Sequence, residues 1–308
     1  MSKPAVVITG ISGNLGHVLA RLLHREERII GIDHRPFPDR PKDLEFHQLD
    51  LRKRRAGEIF RKERIRAVVH LGIVAIPREH GADVHALNVV GTTSVLEYCV
   101  RNHIPKVVVL SSSAVYGPSP ENSNFLTEEA PLMGAARFPE LRGLVEVDMY
   151  AQSFFYRYPS IETVILRPVH VVGPTIRNAA SDYLRLERPW RLAGFDPVVQ
   201  LIHAEDVARA IRAVLAPGVR GVYNVVGAGE VPLSAALREL GRHALPIPHP
   251  AARPVLRLLQ RYGLTRFRAP ETDFLRYLCA VDGSRAVKDW GWNPRFSMRE
   301  TIRSVIAE

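Results

Sequence analysis

The sequence predicts an α/β fold, a Rossmann-type doubly wound parallel sheet with a smaller C-terminal lobe over the sheet's carboxyl edge. Apolar, strand-length runs alternate with amphipathic helical stretches from the start to about residue 170, the rhythm of βαβ units. The first run, Ala5–Val6–Val7–Ile8, ends in the turn TGISGNLG at 9–16 and leads into Val18–Leu19–Ala20–Leu22–Leu23, so a strand turns sharply into a helix. After Pro168 the pattern loosens at Gly173–Pro174, Pro189, Pro197 and Pro217–Gly218, which marks the change to a second architecture.

In order, the apolar runs place strands at 5–9, 28–33, 44–48, 67–71, 106–111 and 162–167. The stretches between them place helices at 14–25, 52–63, 83–101 and 139–157. A sheet domain over 1–170 is expected, followed at 171–308 by a lobe that mainly binds substrate and sends segments back to the first domain.

A chain of 308 residues buries a substantial core, so no disulfide or metal staple is needed and no metal site is expected. Cys99 and Cys279 lie far apart in apolar surroundings and read as reduced thiols. The net charge of +10 is spread along the chain, except for Arg52–Lys53–Arg54–Arg55 and the stripe Arg253, Arg257 and Arg261. Spread charge favours solubility over a nucleic-acid footprint, and no nucleic-acid partner is expected. The stripe occupies one helical face, either solvated or facing a phosphate, an acyl-CoA or a membrane surface. No apolar segment approaches the ~20 residues that span a bilayer, and a cytoplasmic protein is expected.

The glycine turn has the chemistry of a pyrophosphate site. Gly10 allows the tight turn, Gly13 lets the backbone approach phosphates without a Cβ, and Gly16 lets helix and strand pack closely. The helix then presents free N–H groups to the anion, with Ser12, Asn14 and Leu15 completing the loop. The second strand ends in Asp33, near the spacing at which a carboxylate accepts hydrogen bonds from an adenosine ribose. That favours NAD over NADP, although His34 and Arg35 beside it soften the repulsion of a 2′-phosphate and keep NADP open. A turn cap is the plain alternative for Asp33. Asp50–Leu51 follows the third strand, where a carboxylate can meet the adenine amino group.

With these residues in place, the chain resembles the extended short-chain dehydrogenase/reductase family, the NAD-dependent epimerases and dehydratases. Further landmarks run along nearly its whole length: His70–Leu71–Gly72, Asn88 in NVVGT, Ser111–Ser112–Ser113 before Val115–Tyr116–Gly117, Leu166–Arg167–Pro168, Val172–Gly173–Pro174, Ile202–His203 to Val207, Val222–Tyr223–Asn224, Ser284–Arg285–Ala286 and Gly291–Trp292. The resemblance implies that the fingerprint, Asp33, Asp50–Leu51, Leu71–Gly72–Ile73, Asn88 and Ser111 line or support the dinucleotide site. Ser112 matches the family's catalytic Ser or Thr position. A homodimer through the helices at 83–101 and 139–157 is also implied, with Tyr150, Phe154 and Phe155 as its apolar surface.

The chain departs from the family where proton transfer is made. A Tyr with a Lys four residues later projects from one helix face, and the ammonium lowers the phenol pKa. Counting back from Leu166–Arg167–Pro168 puts Glu140 at the Tyr position and Leu144 at the Lys position. No Tyr in the chain has a Lys four residues after it, and no lysine lies between Lys106 and Lys288.

Three readings stay open. An atypical oxidoreductase uses Ser112, Tyr116 or Glu140; a protein binds NAD(H) without turnover; or an epimerase or dehydratase recruits His170, His203 or Glu205. Helix capping competes for His203 with Asp206, and dipole stabilisation competes for Glu140. The segment 196–203 carries no Arg, which in this family argues against a nucleotide-sugar substrate. Pro248, Pro250, Val255, Leu256, Leu258, Leu259 and Phe267 point instead to an apolar wall for a hydrophobic carbonyl-type small molecule.

Overall fold

The computed structural model describes residues 3–73, 82–262 and 273–307. The sheet unit starts with β1 (Ala5–Thr9), α1 (Asn14–Leu23), β2 (Arg28–Asp33), β3 (Glu45–Gln48), α2 (Arg54–Lys62) and β4 (Ile65–His70). It continues through α3 (Ala82–Arg101), β5 (Lys106–Leu110), a short α4 (Gly134–Arg137), α5 (Arg142–Arg157) and β6 (Glu162–Pro168). The lobe holds β7 (His170–Val172), α6 (Ala179–Arg185), β8 (Trp190–Leu192), β9 (Val198–Val199), β10 (Leu201–His203) and α7 (Ala204–Val214). Then come β11 (Gly221–Val225), β12 (Val231–Pro232), α8 (Leu233–Glu239), β13 (Leu245–Ile247), α9 (His249–Arg261), α10 (Ser284–Trp290) and α11 (Met298–Arg303).

Seven strands form the central sheet in the order β11-β6-β5-β4-β1-β2-β3, every pairing parallel. Because β1 pairs with both β2 and β4, the chain reverses direction across the sheet there. In open parallel sheets such a reversal is the place where a ligand crevice forms, beyond the carboxyl ends of the strands. Val6, Ile8, Val69 and Val108 pack one face with Leu19 and Leu23 of α1 and Val207 and Ile211 of α7. Val7, Val68 and Val109 pack the other with Phe60, Leu96, Val147 and Phe154. Apolar cover on both faces is what a parallel sheet requires.

The lobe has a separate core around Val172, Tyr183, Leu184, Leu201 and Leu237. It returns β11 to the sheet edge beside β6, Val222 opposite Ile165, and α7 packs on α1. The helix expected over 139–157 is broken. Phe138 is non-helical, Pro139–Leu141 forms a single 3-10 turn, and α5 begins only at Arg142. Proline at the head of that turn supplies no N–H to continue a ladder upstream.

Candidate functional site

At the end of β1 the chain turns through Gly10 at φ +75°. A Cβ there would sit 2.5 Å from the Gly72 amide nitrogen, so only glycine fits between the ends of β1 and β4. Gly16 is closed in the same way, its hypothetical Cβ 2.2 Å from the Ile11 carbonyl oxygen. Gly13 differs. It is the N-cap of α1 in extended backbone, and a Cβ there meets only the Gly10 carbonyl oxygen at 3.3 Å and the Arg35 guanidinium at 3.6 Å. The turn is therefore an open backbone cradle at a helix N-terminus, a fit to a dinucleotide pyrophosphate. Asn14 is exposed and Leu15 partly buried at the start of α1.

Asp33 closes the cradle from β2. Its carboxylate accepts from the Ser12 amide at 3.0 Å and the Arg35 amide at 2.9 Å. The Arg35 side chain clasps it through Nε and Nη2, both at 3.2 Å, and His34 Nδ1 lies 3.4 Å away. The carboxylate is buried while Arg35 is half exposed, so the cation forms the wet face of the pocket. Ser12 Oγ donates to the Arg35 carbonyl. Asp50 is held by Arg52 at 2.7 to 3.1 Å, and that hydrogen bonding is the main cause that holds its pKa below the ordinary value; Leu51 beside it is buried.

Beneath the crevice, His70 is wholly buried between Thr9 and Thr92. Thr92 gives its hydroxyl hydrogen to the Asn88 carbonyl at 2.6 Å, so its 2.9 Å contact with His70 must be an Nε2–H donation. His70 Nδ1 then accepts from Thr9 Oγ1 at 2.6 Å. Burial pushes the His70 pKa down to about 4, which keeps this neutral tautomer. The arrangement ties β1, β4 and α3 together below Leu71 and Gly72, with Asn88 packed toward Gly143 of α5.

Ser111 and Ser112 leave the carboxyl edge at β5, in line with β6 through the Ser111 amide and Leu166 carbonyl at 2.7 Å. Their side chains part. Ser111 is buried and donates to Asp148 at 2.6 Å. Ser112 is partly exposed and caps a 3-10 turn over Ser113–Val115, its Oγ accepting from the Ala114 amide, and no described residue takes its hydroxyl hydrogen.

Tyr116 turns inward. Its hydroxyl donates to Asn224 Oδ1 at 2.8 Å and accepts from Arg167 Nη1 at 2.7 Å, and burial pushes its pKa up to about 12. The single Tyr116 hydroxyl hydrogen is thus bound to Asn224. Glu140 lies partly exposed in the turn before α5, and Leu144 is buried within α5.

The lobe side chains divide likewise. His203 caps α7 by accepting from the Glu205 amide, and Asp206 accepts from the amides of Arg295 and Phe296. His170 instead meets Phe274 edge-on. Leu258 and Arg261 are exposed on α9; Phe267 and the side chains of Arg253, Val255, Leu256, Arg257 and Leu259 lie outside the described residues. Phe154 faces the core rather than the outer face of α5, leaving Tyr150 with Met149 on the surface. No helix among the described residues is long and apolar enough to cross a membrane.

Fold, glycine cradle and buried carboxylate together define a dinucleotide-fold protein of the extended short-chain dehydrogenase type. Residues 6–226 match the NAD dependent epimerase/dehydratase family, and the chain belongs to it. An uncharacterised protein of Mycobacterium tuberculosis is 27% identical, over 96% of this chain and 82% of its own length. UDP-glucose 4-epimerase 2 of Oryza sativa is 31% identical over 54% of this chain and 45% of its own. Among solved structures, dTDP-glucose 4,6-dehydratase from Bacillus anthracis in complex with NAD is similar at a TM-score of 0.75 and 18% identity, covering 98% and 96% of the two chains. UDP-glucose 4-epimerase of Thermotoga maritima with UDP-glucose is similar at 0.75 and 19%, covering 98% and 97%.

Sequence reasoning missed the buried pair of Asp148 and Arg167. A signal was present: Asp148 interrupts an apolar helix face between Val145, Val147 and Ala151, and a charge there needs a partner.

Proposed function

We propose that the chain binds NAD(H) in the cradle of Gly10, Ser12, Gly13 and Gly16, with Asp33 holding the adenosine ribose. The reaction proposed is hydride transfer, as an atypical oxidoreductase, on a small hydrophobic molecule bearing a carbonyl or hydroxyl. The observation that carries this is the open Gly13 backbone at the head of α1, with the buried Asp33 carboxylate 3.0 Å from the Ser12 amide. NAD in several solved neighbours supports it. Bound there, NAD supplies a two-electron acceptor at the carboxyl edge.

Leu71, Gly72 and Ile73 floor the crevice, and Ser112 donates a hydrogen bond to the substrate oxygen. Glu140 stands at the entrance as an acid–base group. NADP is admitted through Arg35. The aromatic rings of Phe138 and Phe274, 5.1 Å apart, suit an apolar substrate wall. Two similar solved structures hold UDP-glucose and UDP-glucuronic acid; an epimerase or dehydratase reaction is the second chemistry. The buried Leu144 and the occupied Tyr116 hydroxyl favour a further reading, a protein that binds NAD(H) without turnover. The unpaired thiols of Cys99 and Cys279 suit a reducing, cytoplasmic compartment.

Calorimetric titration with NAD, NADH, NADP and NADPH, followed by single-turnover absorbance with ketones and aryl alcohols, separates these readings. Gly13→Ala keeps an allowed backbone and is expected to weaken NADH at least about tenfold, because a methyl group enters the phosphate approach. Tight NADH binding with no oxidation over the panel would favour the non-catalytic reading, and absence of binding would remove both.

A further inference from the structure

Val169 separates β6 from His170, the first residue of β7, so His170 leaves the same carboxyl edge as Ser112, from the neighbouring strand. Its imidazole meets Phe274 edge-on, ring centres 6.2 Å apart at 69°. Phe274 packs in turn on Phe138, the residue that precedes the turn holding Glu140. Three aromatic rings therefore run from the head of α5 to His170.

Apart from that ring contact, no hydrogen bond or ion pair to a described residue engages the His170 side chain. His70 and His203, by contrast, are each held through ring nitrogens. His170 is partly buried as a residue, and loss of water around its ring pushes its pKa below the ordinary value. That combination describes a recess rather than open surface.

Charged neighbours are turned elsewhere. Arg177 and Arg185, on the loop and helix after β7, donate to the carbonyls of Gly173, Pro174 and Ile176. On β10, paired with β7, His203 caps α7. Burial is the sole cause of the depressed His170 pKa.

We propose that His170 is the catalytic residue that exchanges a proton with the substrate oxygen, in place of the Tyr and Lys missing from the head of α5. This rests on the hydride-transfer reading above. In the oxidative direction the substrate O–H bond breaks and its proton goes to a free imidazole nitrogen. The C–H bond breaks as the carbon yields its hydrogen with the electron pair to the oxidised nicotinamide dinucleotide, and the C=O bond forms. The imidazolium then returns its proton to water; reduction runs through the same exchanges in reverse. A neutral imidazole is the form required to accept that proton.

The test reads the imidazole itself, by NMR titration of uniformly ¹⁵N-labelled full-length protein with NAD and with NADH. Oxidised nicotinamide carries a positive charge that the reduced ring lacks. A histidine beside it is expected to titrate lower in the NAD complex by about half a pH unit or more, while His203 serves as the unmoved reference. Identical His170 titration in the two complexes, within about 0.1 unit, would overturn the proposal. If the Ser12 and Gly13 amide resonances also failed to move with dinucleotide, the binding reading would fall first; if they moved and His170 did not, only the present proposal would.

His170→Asn gives the second arm. It is expected to bind NADH within about threefold of wild type and to lose the difference in proton release between NAD and NADH binding, read as the dependence of calorimetric heat on buffer ionisation. Retention of that difference in the variant would equally overturn the assignment.

Discussion

Arg167 and Asp148 form a fully buried bidentate ion pair, Nη2 to Oδ1 at 2.6 Å and Nε to Oδ2 at 2.9 Å. Arg167 also reaches the Tyr116 hydroxyl and the Glu128 carbonyl, and Asp148 accepts from Ser111 and Gln152. One pair thus binds the end of β6, the middle of α5, the end of β5 and the loop carrying Glu128. Replacing one partner strands a charge in the core, so Arg167→Met is expected to cost about 3–5 kcal/mol. Thermal unfolding should register this as a fall in Tm of roughly 10 °C. The double variant Asp148→Leu/Arg167→Met should lose less than the single, and a larger loss would contradict a buried-charge origin.

The Thr9–His70–Thr92 arrangement makes stability depend on pH. The folded pKa of about 4 lies below the ordinary 6.5. Above pH 6.5 the ring is neutral in both states and adds no penalty. As pH falls from about 6.5 toward 4, the unfolded chain takes up a proton that the folded protein refuses, so stability is lost, by about 3 kcal/mol at the acid end. Urea unfolding across this window should show that slope, and His70→Asn, which cannot titrate, should flatten it. An unchanged slope in the variant would place the acid sensitivity elsewhere.

The strand positions and the glycine turn were legible because each strand and turn declares itself locally. Ala5–Val6–Val7–Ile8 before Gly10 leaves few alternatives once a helix follows. Asp33 and Ser112 follow from their places at strand ends. The direction of Tyr116 was not legible, since it depends on Asn224 and Arg167, residues 108 and 51 positions away. Capping by His203 was foreseeable from Glu205 and Asp206 beside it, but the ring contacts that link His170 through Phe274 to Phe138 are made only by the fold. The break at Pro139 was visible as a proline, though the residue at which α5 resumes was not.

Exposed apolar side chains on α3 and α5 set a test of the homodimer. Val90, Met149 and Tyr150 are 48, 58 and 37% exposed, and the two helices pack side by side. A charge at Met149 would be buried unpaired if two copies met through this face. Sedimentation of wild type is expected to give a dimer and Met149→Glu a monomer with unchanged thermal stability of the fold. A variant that sediments as wild type would move the interface elsewhere.

On the proposed dinucleotide-binding reading, cofactor choice is expected to rest on Arg35, whose guanidinium pairs with Asp33. With NADH, the ribose hydroxyls compete with Arg35 for the carboxylate; with NADPH, the guanidinium is placed to turn outward and pair with the 2′-phosphate. Arg35→Ala removes that pairing and leaves a bare carboxylate facing the phosphate. NADPH affinity is therefore expected to fall at least about tenfold, the worth of one charge-assisted hydrogen-bonded contact, while NADH changes by less than about threefold. Titration calorimetry of both reduced dinucleotides against both proteins reads this directly. A parallel loss for NADH and NADPH would assign Arg35 to the shape of the β2 turn instead, since its amide and its side chain both bind Asp33.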